Sequence, residues 1–160
     1  MNRKISAPGL AVTAVLIWTT VASGAPAIPQ FGTAEQARAM LERAVAALKD
    51  NQAAALKAFN DPKNTQFRER DLYVYCFNVG DGKFTAYQSP MLLGVNVREF
   101  KLPPNDPVGQ RAYDAIHDVS EGNFITLEYQ MPKPGTKQSA TKQFLETRVG
   151  NQGCGVTYFK

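Results

Sequence analysis

Two cysteines, Cys76 and Cys154, and one histidine, His117, are the chain's whole stock of the side chains that most readily bind metals or act as nucleophile and base. His117 has Asp114 three residues before it and Asp118 beside it. On a helix Asp114 and His117 could touch. A Ser-His-Asp site, however, needs a positioned nucleophile and an oxyanion hole, and the chain has no G-x-S-x-G elbow. His117 therefore reads as a surface or helix-capping residue, and a small hydrolase stays a remote alternative. Two distant cysteines and one histidine do not cluster as a zinc site requires. Gly80, Gly82, Gly153 and Gly155 read as turn and strand glycines, and none forms a phosphate loop with its lysine. The expectation is a protein that is not an enzyme, with no catalytic residues, no metal and no cofactor.

The 160 residues suffice for one domain. The opening "MNRKISAPGLAVTAVLIWTTVASGAPA" combines a basic start at Arg3 and Lys4, an apolar run from Leu10 to Trp18, and Ala25-Pro26-Ala27 as an A-x-A cleavage site. That is the three-part pattern of a secretory signal peptide. Residues 1–27 are read as the signal and 28–160 as the mature domain, periplasmic or secreted, with no membrane span after cleavage. A retained membrane anchor is the alternative, but the apolar run falls short of the ~20 residues of a span. Cleavage removes two basic residues and no acidic one, so the net charge of +4 falls by two. The remaining Lys and Arg are scattered among Asp and Glu, which excludes the concentrated basic patch of a nucleic-acid-binding protein.

Export changes what the cysteines mean. An oxidising compartment favours a disulfide, and two cysteines allow only the pairing of Cys76 with Cys154. A loop of that length would stabilise by about 4 to 5 kcal/mol in the chain-entropy model. Two buried free thiols are the alternative.

The elements follow from pattern. Thr33 and Gln36 form a capping box. Ala37, Met40, Leu41, Ala44, Val45 and Leu48 then lay one apolar stripe along a helix. Asp50-Asn51 interrupts it and recaps a shorter helix through Ala53, Leu56 and Phe59, which Pro62 stops. From Leu72 the residues turn aromatic and β-branched. Leu72–Val79 and 83–87 read as an antiparallel pair around Asp81-Gly82. Residues 88–107 form a long irregular connection, of a kind that is often functional. "VGQRAYDAIHDVSEG" is a helix with Ala112, Ala115, Ile116 and Val119 on one side and Gly122 at its end. "NFITLEYQM", "ATKQFLETRV" and "CGVTYFK" are three further strands, the last pair joined by a turn from Gly150 to Gly153. Helices segregated from a mainly antiparallel sheet make an α+β domain.

These pieces resemble the single Cache domain of the second type, an extracytoplasmic sensor module with a PAS-like sheet. The resemblance runs from about Thr33 to Lys160. It is carried by "AFNDPK", "RDLYVYCFN", "DGKFTAY", "LLGVNVREF" and the closing "RVGNQGCGVTYFK", in that order and spacing. Three departures stand out, one being that the fourth strand is less aromatic than is common in the family. Tyr87-Gln88 occupies the place where the family commonly has a His-Pro pair, and Tyr158-Phe159 the place where two tyrosines are usual.

The resemblance implies a five-stranded antiparallel sheet with the long N-terminal helix packed on one face. It places the first and fifth strands side by side, with 76 opposite 154, 74 opposite 156 and 72 opposite 158. Tyr73, Tyr75 and Phe77 alternate with Leu72, Val74 and Cys76, so both faces of the first strand are apolar. One face suits the helix. The other must lie under the long loop and short helix or line a pocket, for which tyrosines, with an apolar ring and one hydroxyl, are suited. The candidate ligand-binding residues are Tyr75, Tyr87, Tyr129 and Lys142, with Lys142 as a cation for a small carboxylate. The ordinary alternative is that the aromatics are core and Lys142 is solvated. The resemblance implies a small-molecule ligand and, as a second possibility, a ligand-free subunit docking on a membrane receptor or another exported protein. In receptors of the family a transmembrane helix follows the sensor. The chain stops where that helix would begin, so the expectation is a stand-alone module that hands its state to a partner or simply binds.

Overall fold

The computed structural model describes residues 31–136 and 138–160. The signal-peptide reading of residues 1–27 lies outside the described residues.

Helix α1 (Ala34–Asn60) starts at Thr33 with the expected capping box: the Thr33 hydroxyl accepts from the Gln36 amide, and the Thr33 amide donates to Gln36 Oε1 at 2.9 Å. The expected interruption is present. Asn51 leaves helical geometry (φ −153°, ψ 98°), and its Oδ1 accepts from the Ala54 amide at 3.0 Å to cap the second half. Ala37, Met40, Leu41, Ala44, Leu48, Ala55 and Phe59 are the buried stripe.

A six-stranded antiparallel sheet carries the rest. Strands β1 (Arg68–Glu69), β2 (Leu72–Asn78), β3 (Phe84–Ala86), β4 (Phe124–Pro132), β5 (Ser139–Val149) and β6 (Gln152–Phe159) run in the order β1-β2-β6-β5-β4, with β3 also paired to β2. The sequence-based expectation named five strands. The sixth is β1, two charged residues with no strand pattern, which turn back through Arg70 at positive φ to pair Glu69 with Leu72. Strand β6 begins two residues earlier than expected. Gly150 and Asn151 alone make the turn, with Gly150 at φ 57° and Val149 facing Gln152 across it. Gly153 therefore belongs to the strand, where the Phe77 ring and Ile116 fill the space a side chain would need.

Cys76 faces Cys154, and Val74 faces Val156, as the resemblance implied; the β2–β6 ladder ends there, short of 72 and 158. The two cysteines are joined in a disulfide with Cα atoms 4.1 Å apart, the short cross-strand spacing of a non-hydrogen-bonded pair. Leu72, Val74, Cys76, Leu145, Cys154 and Val156 form one core with α1. Tyr73, Tyr75, Phe77, Phe84 and Phe144 stand on the opposite face. That face is covered by helix α2 (Val108–Asp118), whose Val108 and Ile116 are buried in it, and by the long connection, whose Val97 is. The connection is held to β3 and the turn before it by backbone hydrogen bonds from Phe84 to Val95, Gly94 to Phe84 and Val97 to Gly82, at 2.9, 2.9 and 2.7 Å.

Candidate functional site

The face under the connection and α2 holds a small cavity. Six of its lining residues are aromatic: Tyr73 and Tyr75 from β2, Phe84 from β3, Tyr87 just after β3, Phe100 from the connection, and Phe144 from β5. Alternation along β2 sends Tyr73 and Tyr75 to this face while Val74 goes to α1. Gly109, in the first turn of α2, also lines the cavity; a Cβ there would collide with the backbone carbonyl of Val97, so α2 sits directly on the backbone of the connection. The open volume is about 20 Å³, room for roughly one water molecule.

Behind the Tyr75 ring lies a buried carboxyl. Tyr75, Gly155 and Glu146 stand in register across β2, β6 and β5. Gly155 has no side chain, and a Cβ there would fall 2.9 Å from Glu146 Cγ and closer still to the Tyr75 hydroxyl. The hydroxyl of Tyr75 thus reaches across β6 to donate to Glu146 Oε1. Glu146 is 0% exposed, and its Oε2 has no protein partner. Burial pushes its carboxyl up to about 8, against the Tyr75 hydrogen bond that pulls it down. It is therefore mainly protonated at neutral pH. Thr157, opposite Phe144 and also buried, has a hydroxyl without a partner on the same face.

The phenols form a second small network. The Tyr73 hydroxyl donates to the Tyr87 hydroxyl at 3.2 Å. Burial raises the pKa of Tyr73, Tyr75 and Tyr87, so all three remain neutral hydroxyls. Asn60, at the end of α1, pins the Tyr87 backbone: its Oδ1 accepts from the Tyr87 amide at 3.1 Å and its Nδ2 donates to the Thr85 carbonyl at 2.9 Å. Tyr87 also lines a second, open pocket of about 270 Å³ with Asn60, Arg68, Gln88 and Leu93. Arg68 is the only cation among the described residues lining that pocket; its Nη2 donates to the Gln88 carbonyl at 3.3 Å, and its Nε is buried without an acceptor. The Tyr87 side chain borders both spaces.

Of the residues singled out by sequence, Tyr75 and Tyr87 come together at the cavity, with ring centres 6.5 Å apart. Tyr129 lies outside the lining, its ring 4.7 Å from that of Phe144. Lys142 is opposite Tyr129 in the β4–β5 ladder, and its ammonium sits 4.7 Å over the Phe159 ring. Burial lowers the Lys142 pKa, while Asp71 nearby raises it. His117 is exposed and its Nδ1 lies 3.3 Å from Asp118 Oδ1; Asp114 instead accepts from Gln110 at 2.8 Å. Sequence reasoning passed over Glu146, Phe144 and Arg68, and named Tyr73 only as part of an apolar strand face. A signal for Glu146 was present in "QFLETRV", where alternation puts it on the same face as Phe144.

The described residues form the arrangement of known sensor modules. The crystal structure of a methyl-accepting chemotaxis protein from Vibrio parahaemolyticus matches with a TM-score of 0.55 at 21% identity, covering 78% of this chain and 86% of that one. The structure of a Cache chemosensory domain, described as the basis of its carboxylic acid recognition, matches at 0.52 and 15% identity, covering 78% and 86%. The chain has a Cache fold. A periplasmic sensor domain of a chemotaxis protein shares the Cache-fold arrangement at 0.52 and 17% identity, covering 78% of this chain and 88% of that one. No family model matches the sequence, and no curated protein matches it significantly. Among the described residues no helix is long and apolar enough to cross a membrane.

Proposed function

We propose that the protein is an exported, non-catalytic Cache-type sensor module that holds a small molecule between the sheet and the long connection. The observation that carries this reading is the cavity itself: six rings and a backed-up carboxyl gathered under a connection that β3 holds by a few backbone hydrogen bonds. Ligand sites are typically apolar recesses with a few placed polar groups. The Cache fold, found in periplasmic and chemotaxis sensors, supports the sensor role and the exported location. Tyr75 and Tyr87 are the proposed contacts from the cavity wall, with Tyr129 and Lys142 in the layer behind Phe144. A small carboxylate, the ligand class of one neighbour, would find its cation at Arg68 in the open pocket.

A thermal-shift screen of small carboxylates, amines and amino acids tests the reading. A ligand at 100 times its dissociation constant adds about 2.7 kcal/mol. A dose-dependent rise for one chemical class, lost in a Tyr87→Ala variant that still melts cooperatively, is the expected result. The tightness of the cavity, about 20 Å³, favours one competing reading, a ligand-free subunit that docks on a membrane receptor or another exported protein. A flat response to the whole panel, with no small molecule retained in native mass spectra, would establish that reading instead.

A further inference from the structure

The inner cavity has a charge character that the open pocket lacks. No Lys, Arg or His is among the described residues lining it. Its walls are aromatic faces, which carry negative electrostatic potential and attract cations. Tyr73, Tyr75, Tyr87 and Phe144 meet one another edge-on or tilted, with ring centres 5.5 to 6.5 Å apart along the chain of contacts. Directly behind Tyr75, Glu146 Oε2 is buried with no donor and no counter-charge within the sheet. Thr157 adds a second unpartnered oxygen on the same face. The groups there are π faces, neutral hydroxyls and a neutral carboxyl, and no cationic side chain among the described lining residues would neutralise an anion.

We propose that the inner cavity is the closed form of an aromatic cage for a small organic cation, an ammonium or methylated ammonium group, with Glu146 as its buried counter-charge. This rests on the reading of the cavity as a guest site. The cage lacks room for such a guest until the Tyr87 ring swings, and Tyr87 borders the open pocket through which the guest would enter. A cation held against the Tyr75 ring favours ionisation of Glu146, which lies one hydrogen bond behind that ring. The proton leaves the carboxyl for solvent, and the ion pair forms in surroundings of low dielectric, where attraction is strong.

The test is calorimetric titration of the full chain with tetramethylammonium, choline and, as the anionic comparison, propionate. Repeating it at pH 7 in two buffers of different ionisation enthalpy counts the protons exchanged. The expected result is binding of the cations, release of up to one proton per guest, and a loss of about tenfold or more in Glu146→Gln. Glutamine keeps the shape and the neutral charge, so that variant should fold. Tyr87→Leu keeps apolar volume but removes the π face, and is expected to weaken cations about tenfold. Cation binding unchanged in both variants overturns the cage. Propionate binding without cation binding overturns it too, while leaving the guest-binding role intact. Binding of neither overturns both.

Discussion

The hydroxyl of Tyr75 on β2 donates to Glu146 Oε1 on β5 by passing over Gly155, the residue that separates them in the sheet. Three strands are thus joined on the cavity face by one polar contact, directly opposite the disulfide's face.

Stability should depend on pH through Glu146. Its folded value of about 8 lies above the ordinary 4.5. The folded state therefore holds the proton more tightly, and this contribution is complete below about 4.5 and drains as pH rises towards about 8. Tyr75, the group that faces it from β2, stays neutral across this window. The loss is at most about 1.4 kcal/mol per pH unit. Urea unfolding at pH 5, 6, 7 and 8 should show the decline, and Glu146→Gln should flatten it. An unchanged slope in the variant would remove Glu146 as the cause.

Breaking the disulfide should be costly. Cys76 and Cys154 are 78 residues apart, and releasing a loop of that length costs about 4 to 5 kcal/mol in the chain-entropy model. The double Cys→Ala variant should lose that much in denaturant unfolding. A loss below about 1 kcal/mol would mean that the unfolded chain is already compact around this pair.

Two glycines should differ in their tolerance of a methyl group. At Gly109 the obstacle is the Val97 carbonyl, part of a backbone that cannot turn aside. Gly109→Ala should destabilise by about 3 kcal/mol and displace α2. At Gly155 the obstacles are side-chain atoms, the hydroxyl end of Tyr75 and Glu146 Cγ. Gly155→Ala should cost less, about 1 to 2 kcal/mol, and should lower the apparent pKa of Glu146 if separation lets water in. Thermal melts and carboxyl NMR titration read the two effects separately.

Asn60→Ala should free the Tyr87 backbone. It removes the two hydrogen bonds that Asn60 makes to Thr85 in β3 and to Tyr87 just after it, at about 0.5 to 1.5 kcal/mol each. Hydrogen exchange at the Tyr87 amide should quicken relative to the β2 amides. Equal protection in the variant would show that the connection is held by other contacts.

Local pattern alone located most of the elements. The capping box at Thr33, the break at Asn51, the strand at Leu72 and the stop near Pro62 all depend on neighbours in sequence, whose physics is complete within a few residues. Strand β1 was illegible for the same reason: Arg68 and Glu69 are extended only because β2 offers them an edge. The start of β6 was displaced because Gly153 reads as a turn residue until the Phe77 ring and Ile116 are seen to fill its side-chain space.

The sequence by itself determined the α+β class, the apolar character of both faces of β2, and the one possible cysteine pairing. Each follows from residue type, alternation or count. The tertiary structure decided which aromatics share a cavity and that Glu146 stands behind them uncharged. Those depend on cross-strand register and on what covers each face. A carboxyl exposed to water and one sealed beneath Tyr75 are the same letter, and only the surroundings separate them.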